Sequence, residues 1–305
     1  MTKLVMGSLL LLGCASQSES PFIDGFDPPA PKDGEIQIIA PAVRDVAPGA
    51  DITVCAYIDD RVATDTDIVA YNGYQSRVGG HHVILYAVQQ QQAANAHECT
   101  EDDMINARYL AGSGADTPPA ELPENVVFRI PANTQLMIQT HWINATDKPL
   151  DGQGAFNLEV TAPTPAHQMA QLFTIVNTSF TVPVGEGKAS TECTVEQNMN
   201  VFTLGAHMHE WGTHASITHT PAAASSGTMI YDHGWTEEDV FDPPRNNYPT
   251  TQPLKLAVGD KFRIDCSYNN TTGGPLPFPS EMCVAWTYAY PMTRQIDCTD
   301  GNWPR

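Results

Sequence analysis

Basic residues are scarce in this chain: 15 Lys and Arg stand against 35 Asp and Glu over 305 residues, for a net charge of -20. A surface of that sign repels phosphate backbones and anionic lipid headgroups, so nucleic acid and acidic membranes are not expected partners. No two of the seven cysteines are spaced CxxC, which disfavours a thioredoxin-like redox motif and a zinc ribbon. The apolar run from Leu4 to Leu12 is too short to span a bilayer. Helical periodicity is weak and confined to EDDMINARYL at 101–110, and the only low-complexity tract, QQQQ at 89–92, reads as a solvated loop. What remains is a chain with an ordinary hydrophobic share, 42%, long enough for one large or two ordinary domains.

The N-terminus, MTKLVMGSLLLLGCASQSES, places one Lys before the apolar run and reads as an export signal over residues 1–14. Its LLGC ending resembles the lipobox of bacterial lipoproteins, which implies cleavage before Cys14 and lipidation of that residue. Ala rather than Asp follows, so the resemblance implies sorting to the outer membrane or cell surface, with membrane contact through the lipid alone. Residues 15–33, rich in Ser, Pro and Asp and containing FDPPAPKDG, are expected to form a flexible tether. Setting Cys14 aside leaves Cys55, Cys99, Cys193, Cys266, Cys283 and Cys298. An even number in an exported chain points to three disulfides, with about fifteen connectivities open.

Short runs with β character follow the tether: EIQIIA, DITVCAYI, HHVILYAV, VVFRI, TQLMIQTHWIN and AFNLEVTA, separated by Gly, Pro, Asn and Asp clusters. Prolines in TAPTPAHQ at 161–168 interrupt the series. A second set then begins: QLFTIV, NVFTLGAHMH, HASITHT, LKLAVGDKFRIDCSYN and CVAWTYAYP. This pattern predicts an all-β protein of two consecutive antiparallel, jelly-roll-like β-sandwiches, spanning 34–164 and 165–303.

Three groups of residues depart from an ordinary histidine background, to which His97, His167, His214, His219 and His233 are assigned. In LGAHMHEWG, His207 and His209 are two residues apart, so a strand would project both imidazoles from one face toward one metal. In GGHHVILYAV, His81 and His82 are adjacent, and a regular pleat would send them to opposite faces. Gly79 and Gly80 permit the bulge that could turn them together, with His141 of QTHWIN as a third ligand. In SEMC, Met282 precedes a disulfide candidate, Cys283. Its thioether is a soft donor suited to Cu(I), where a catalytic zinc would prefer His or a carboxylate.

Taken together, GGHHVILYAV, QTHWINATDKPLDG, LGAHMHEWG, GDKFRIDCSYNNTT and EMCVAWTYAYP resemble the copper type II, ascorbate-dependent monooxygenases, the family of peptidylglycine α-hydroxylating monooxygenase and dopamine β-monooxygenase. The resemblance covers most of residues 35 to 300. It implies two copper ions per chain, one in each sandwich, facing across a solvent-filled cleft. His81, His82 and His141 match the electron-transfer copper; His207, His209 and Met282 match the copper where O2 binds and the substrate C–H bond is cut. The co-substrates implied are O2, a small-molecule substrate, and ascorbate or another one-electron reductant. The family also suggests pairing Cys266 with Cys283, Cys193 with Cys298, and Cys55 with Cys99.

The substrate pocket is expected to involve Gly205, Trp286 and Gln139. In the peptide-amidating members an Arg occupies the position of Gly205 and binds a peptide carboxylate, and a Tyr occupies that of Trp286. These departures favour a small or partly apolar substrate and little activity on glycine-extended peptides. A copper-binding lipoprotein that stores or relays the metal without turnover is the alternative, and it leaves two chemically unlike sites unexplained.

Overall fold

A computed structural model describes residues 20–304 apart from 60, 115, 116 and 241. The expected export signal and lipidated Cys14 lie outside the described residues. The protein is all-β. Among the described residues the helical elements are Glu101–Asn106 and a single 3-10 turn, Glu237–Val240.

The chain builds two consecutive β-sandwiches. In the first, one sheet runs Glu35–Ile39, Gly154–Thr161, Thr66–Gln75, Val126–Ile130 and Gln168–Met169, and its partner runs Ala96–Glu98, Asp51–Ile58, Leu136–Ile143, Gly80–Val88 and Ala107–Gly114. In the second, Arg245–Asn247, Met199–His207, Cys283–Tyr290, Gln171–Asn177 and Ile296–Thr299 face Gly185–Thr194, Lys261–Asn270, Gly212–Thr220 and Thr228–Gly234. Strands up to Met169 pair only with one another, as do those from Gln171 onward. Pairing is antiparallel except at two edges: Gln168–Met169 runs parallel to Val126–Ile130, and Gln171–Asn177 runs parallel to Ile296–Thr299. The continuous segment 168–177 therefore belongs to both sandwiches, with buried Ala170 joining its two strands.

Alternation explains the cores. Along Lys261–Asn270, Phe262, Ile264, Cys266 and Tyr268 point inward while Arg263 and Asp265 point out. Phe173, Leu204, Ile217 and Ala285 close the second core, and Ile68, Leu85, Phe128 and Phe156 fill the first. All three disulfides join the pairs suggested by the resemblance: Cys55–Cys99, Cys193–Cys298 and Cys266–Cys283.

Three expectations are corrected. The stretch LKLAVGDKFRIDCSYN is two strands, Leu254–Leu256 and Lys261–Asn270, because Gly259 at φ +92 turns the chain between them. The helix at 101 ends at Asn106, and ARYLAGSG that follows is a strand on the sheet edge. From Pro21 onward the segment expected to hang free is held against the first sandwich: Gln153 bonds both Ile23 and Pro21, Asn157 bonds Pro29, and Phe26 is buried.

The sandwiches also pack on each other. On Cys283–Tyr290 the inward set Cys283, Ala285, Thr287 and Ala289 serves the second core, which leaves Val284, Trp286 and Tyr288 on the opposite face. Tyr288 stacks on Tyr109 at 5.4 Å between ring centroids and meets Phe128 edge-on at 5.5 Å, both from the first sandwich. Phe202 and Tyr290 likewise join the first core.

Candidate metal centres

The adjacency of His81 and His82 is resolved by strand register. His82 stands opposite His141, but the next residue of that strand, Trp142, stands opposite Gly80, so His81 is the extra residue of a bulge. Both glycines are required there. Gly79 sits at φ +77, and a Cβ on Gly80 would come within 2.3 Å of the Ser76 carbonyl oxygen. The bulge turns His81 toward the face that His82 and His141 share. One ring nitrogen from each of the three lies within 4.8 Å of the other two.

The donor chemistry of this cluster suits a metal. Nδ1 of His81 and Nδ1 of His141 approach to 2.6 Å, hydrogen-bond distance, so these two ring nitrogens converge on one point. The far nitrogen of His141, Nε2, meets Asp51 Oδ1 at 2.5 Å. That carboxylate fixes the Nε2–H tautomer and turns the Nδ1 lone pair inward, the usual outer support of a metal-bound histidine. Burial, with the neighbouring His141 charge, pushes His81 down to about 4, and burial holds His82 well below the ordinary histidine value. Both are neutral, hence ligand-ready, at pH 7.

The second group assembles at the end of strand Met199–His207. His207 and His209 lie 5.1 Å apart between ring centroids and nearly perpendicular, at 86°. His209 Nδ1–H donates to the Ser280 carbonyl at 3.1 Å, which leaves its Nε2 as the outward donor. The Ser280–Met282 segment is stapled to this strand end by Glu281. That buried carboxylate accepts the backbone N–H of His209 at 3.1 Å, of Trp211 at 2.8 Å and of Met282 at 3.1 Å. Tyr268 donates to the Met282 carbonyl at 2.8 Å, and the Cys266–Cys283 disulfide begins one residue on. The backbone of Met282 is thus fixed beside His209 from three directions. Burial, then the proximity of His209, His81 and His141, lowers His207 to about 3.

The two groups approach each other across the junction of the sandwiches, where the backbone of Val240 bonds His81. His207 contributes to holding His82 down, and His209 to holding His81 down.

Of the residues expected to line a substrate pocket, Gly205 and Trp286 are direct cross-strand partners. The indole lies over the glycine so closely that a Cβ there would meet the ring at 2.5 Å, and Trp286 Nε1–H is pinned to the Ala206 carbonyl at 3.1 Å. Gln139 has different company. Its Nε2 reaches Met104 Sδ at 3.1 Å and Cys99 Sγ at 3.8 Å, and its amide bonds His82, so its observed partners all belong to the first sandwich.

The background histidines have ordinary partners. His97 pairs with Asp103, His167 with Asp67, His214 with Asp232 and His219 with Asp260, while His233 packs on Tyr231. Two functional candidates escaped sequence reasoning. Asp51 becomes visible only through the register that sets Thr53 opposite His141, and Glu281, inside the quoted SEMC, only through the turn whose amides it collects.

No family model matches this chain. Among solved structures it is similar to the major capsid protein P2 of bacteriophage PM2, at 7% identity and a TM-score of 0.33, over 85% of this chain and 99% of that one. It is also similar to PNGase F, a glycosylasparaginase from Flavobacterium meningosepticum, at 10% identity and a TM-score of 0.35, over 86% of this chain and 97% of that one. Likeness at this level says nothing about the two histidine groups.

Proposed function

We propose that the protein is an exported copper-dependent monooxygenase that hydroxylates a C–H bond of a small or partly apolar substrate, using O2 and a one-electron reductant such as ascorbate. The observation that carries this reading is the pairing of two chemically unlike donor sets across one junction: three imidazoles from His81, His82 and His141, and two imidazoles from His207 and His209 beside the fixed Met282 backbone. Three imidazoles suit copper in both oxidation states, and the thioether favours Cu(I). Copper held at the two sets would supply one-electron transfer and O2 activation.

The chain's own contribution is orientation and protonation state. Asp51 aims His141, the Ser280 carbonyl aims His209, and Glu281 fixes the segment that carries Met282. Burial keeps His81, His82 and His207 unprotonated at neutral pH, so no proton has to leave before a metal is taken up. Trp286 over Gly205 gives the second set an apolar neighbour, which favours a substrate with an apolar part. Three disulfides fit an oxidising compartment, in keeping with export and a lipid anchor at Cys14.

The test is copper stoichiometry together with O2 uptake. About two copper ions per chain are expected, with ascorbate-driven O2 uptake that rises when an organic substrate is added. Met282→Ile should keep oxidised copper and lose at least about tenfold in uptake, because the soft ligand matters most for Cu(I). Full copper loading with no substrate-dependent uptake under any reductant would leave a storage or relay protein instead.

A further inference from the structure

Strand Arg245–Asn247 borders Met199–His207 on the side away from Cys283–Tyr290, with Gly205 opposite Arg245 and Thr203 opposite Asn247. The Thr203 hydroxyl bonds Asn247 Oδ1 at 3.0 Å, so these paired residues share one face, and Asn246 turns the other way to bond the Ile230 carbonyl. Arg245 thus rises from the same face as Gly205, Trp286 and His207. Its Cα stands about one strand spacing, roughly 4.8 Å, from Gly205, and His207 is two residues further along, about 7 Å. Both distances are within the span of an extended arginine side chain.

What the guanidinium holds is informative. Arg245 Nη2 donates to Asp242 Oδ1 at 2.9 Å, and the same oxygen accepts the hydroxyl of Thr117 from the first sandwich at 3.2 Å. Asp242 is about half exposed, and it engages the arginine through one nitrogen where a carboxylate can engage two. The hydroxyls of Tyr71 and Tyr288, at the sandwich junction, both feel the Arg245 charge. The indole of Trp286 covers Gly205, the residue that stands opposite Arg245 and two positions before His207.

We propose that Arg245 is the anion-recognising residue of the substrate site beside His207, and that the substrate carries a carboxylate on a flat, apolar skeleton that rests on Trp286. This rests on the reading of His207 and His209 as the oxygen-side metal ligands. Asp242 occupies the arginine until the substrate carboxylate replaces its single contact with a bidentate one, and Thr117 retains the displaced aspartate. A carboxylate that appears partnerless when residue 205 alone is considered acquires a partner from the neighbouring strand. The chain's net charge of -20 does not forbid this, since repulsion from distant carboxylates is screened beyond about 8 Å at physiological salt.

The experiment is titration calorimetry of the full-length protein, with and without copper, using phenylacetate, 2-phenylethanol and 2-phenylethylamine as probes. Phenylacetate should bind about tenfold tighter than the alcohol, and the amine weakest. Arg245→Gln should erase the preference with the melting temperature unchanged, and Asp242→Asn should tighten phenylacetate several-fold by weakening the internal competitor. The proposal is overturned if none of the probes binds, if the alcohol or amine equals phenylacetate, or if Arg245→Gln leaves phenylacetate binding intact. Binding without copper keeps this result separate from turnover. An Arg245-dependent preference alongside absent O2 uptake would count against the monooxygenase reading alone.

Discussion

His82 stands directly opposite His141 in the strand register, and His81 is the residue left over. The His81–His82–His141 group is therefore a product of one bulge, and the bulge depends on backbone that carries no side chain. Gly80→Ala would place a methyl 2.3 Å from the Ser76 carbonyl oxygen, against backbone that cannot swing aside. Overpacking of this kind costs about 1–3 kcal/mol. The expected outcome is a folded protein whose copper content falls from about two per chain to about one, measured by elemental analysis beside a thermal melt. Unchanged copper content would show that the bulge does not create the site.

Two carboxylates that touch no expected ligand lone pair should nonetheless set metal affinity. Asp51→Asn removes the charge behind His141, and outer-shell changes of this sort cost about 10–100-fold in affinity. Glu281→Gln loses one acceptor oxygen of a buried group that serves three amides, and should loosen His209 and Met282 together. Competition with a calibrated chelator should separate them: Asp51→Asn weakens one equivalent of copper, Glu281→Gln the other. A common loss of both equivalents from either variant would contradict the assignment of one carboxylate to each group.

Acid stability should be governed in part by Asp67. Burial pushes its carboxyl up, but two bonds from Arg129 at 2.6 and 2.9 Å and one from His167 at 2.7 Å more than offset this, and the group lies below its ordinary value. A folded pKa below the unfolded one means the contribution is complete above about pH 4 and disappears as pH falls through the folded value. Asp67→Asn takes the charged partner from a partly exposed Arg129, at a cost of about 1–3 kcal/mol, and should flatten the fall in stability with acid. Denaturant unfolding from pH 7 to pH 3 measures both. His167 lies in the Pro-rich segment before the junction, so the same variant should also expose that segment to proteolysis.

Legibility in the sequence followed how local each signal is. Runs such as DITVCAYI and HHVILYAV announce themselves by β-branched and aromatic content, and HxH carries its own geometry in its spacing. GEGKASTECT does not: its strand at Gly185–Thr194 is polar on one face and rich in small residues, and it forms because Lys261–Asn270 offers a ten-residue ladder beside it. TDIVAYNGYQ at Thr66–Gln75 is similarly masked, with Gly73 kept small by Ser113 and Phe156. Asp51 and Arg245 gain their significance only from which strand lies beside which, information that residue spacing along one segment does not contain.

The identities of Gly205 and Trp286 are interdependent in the structure. With a Cβ at 205 meeting the indole at 2.5 Å, and the indole itself held by its bond to Ala206, neither side can yield without breaking something. Gly205→Ala alone should therefore destabilise the second sandwich by about 1–3 kcal/mol, as overpacking does. Trp286→Ala alone should also destabilise, through lost aromatic contact with Tyr288 at 5.2 Å and the space left behind. In the double variant the added methyl enters the space the indole vacated, so the combined cost should be smaller than the sum by about 1 kcal/mol or more, a coupling that a double-mutant cycle measures directly. The partner change would be visible in ligand binding too: the double variant should lose its preference for aromatic over aliphatic probes while Arg245 remains in place. Strict additivity of the two stability changes would mean that the strand moves to accommodate the methyl, and that the apolar wall beside His207 is softer than the packing around it indicates.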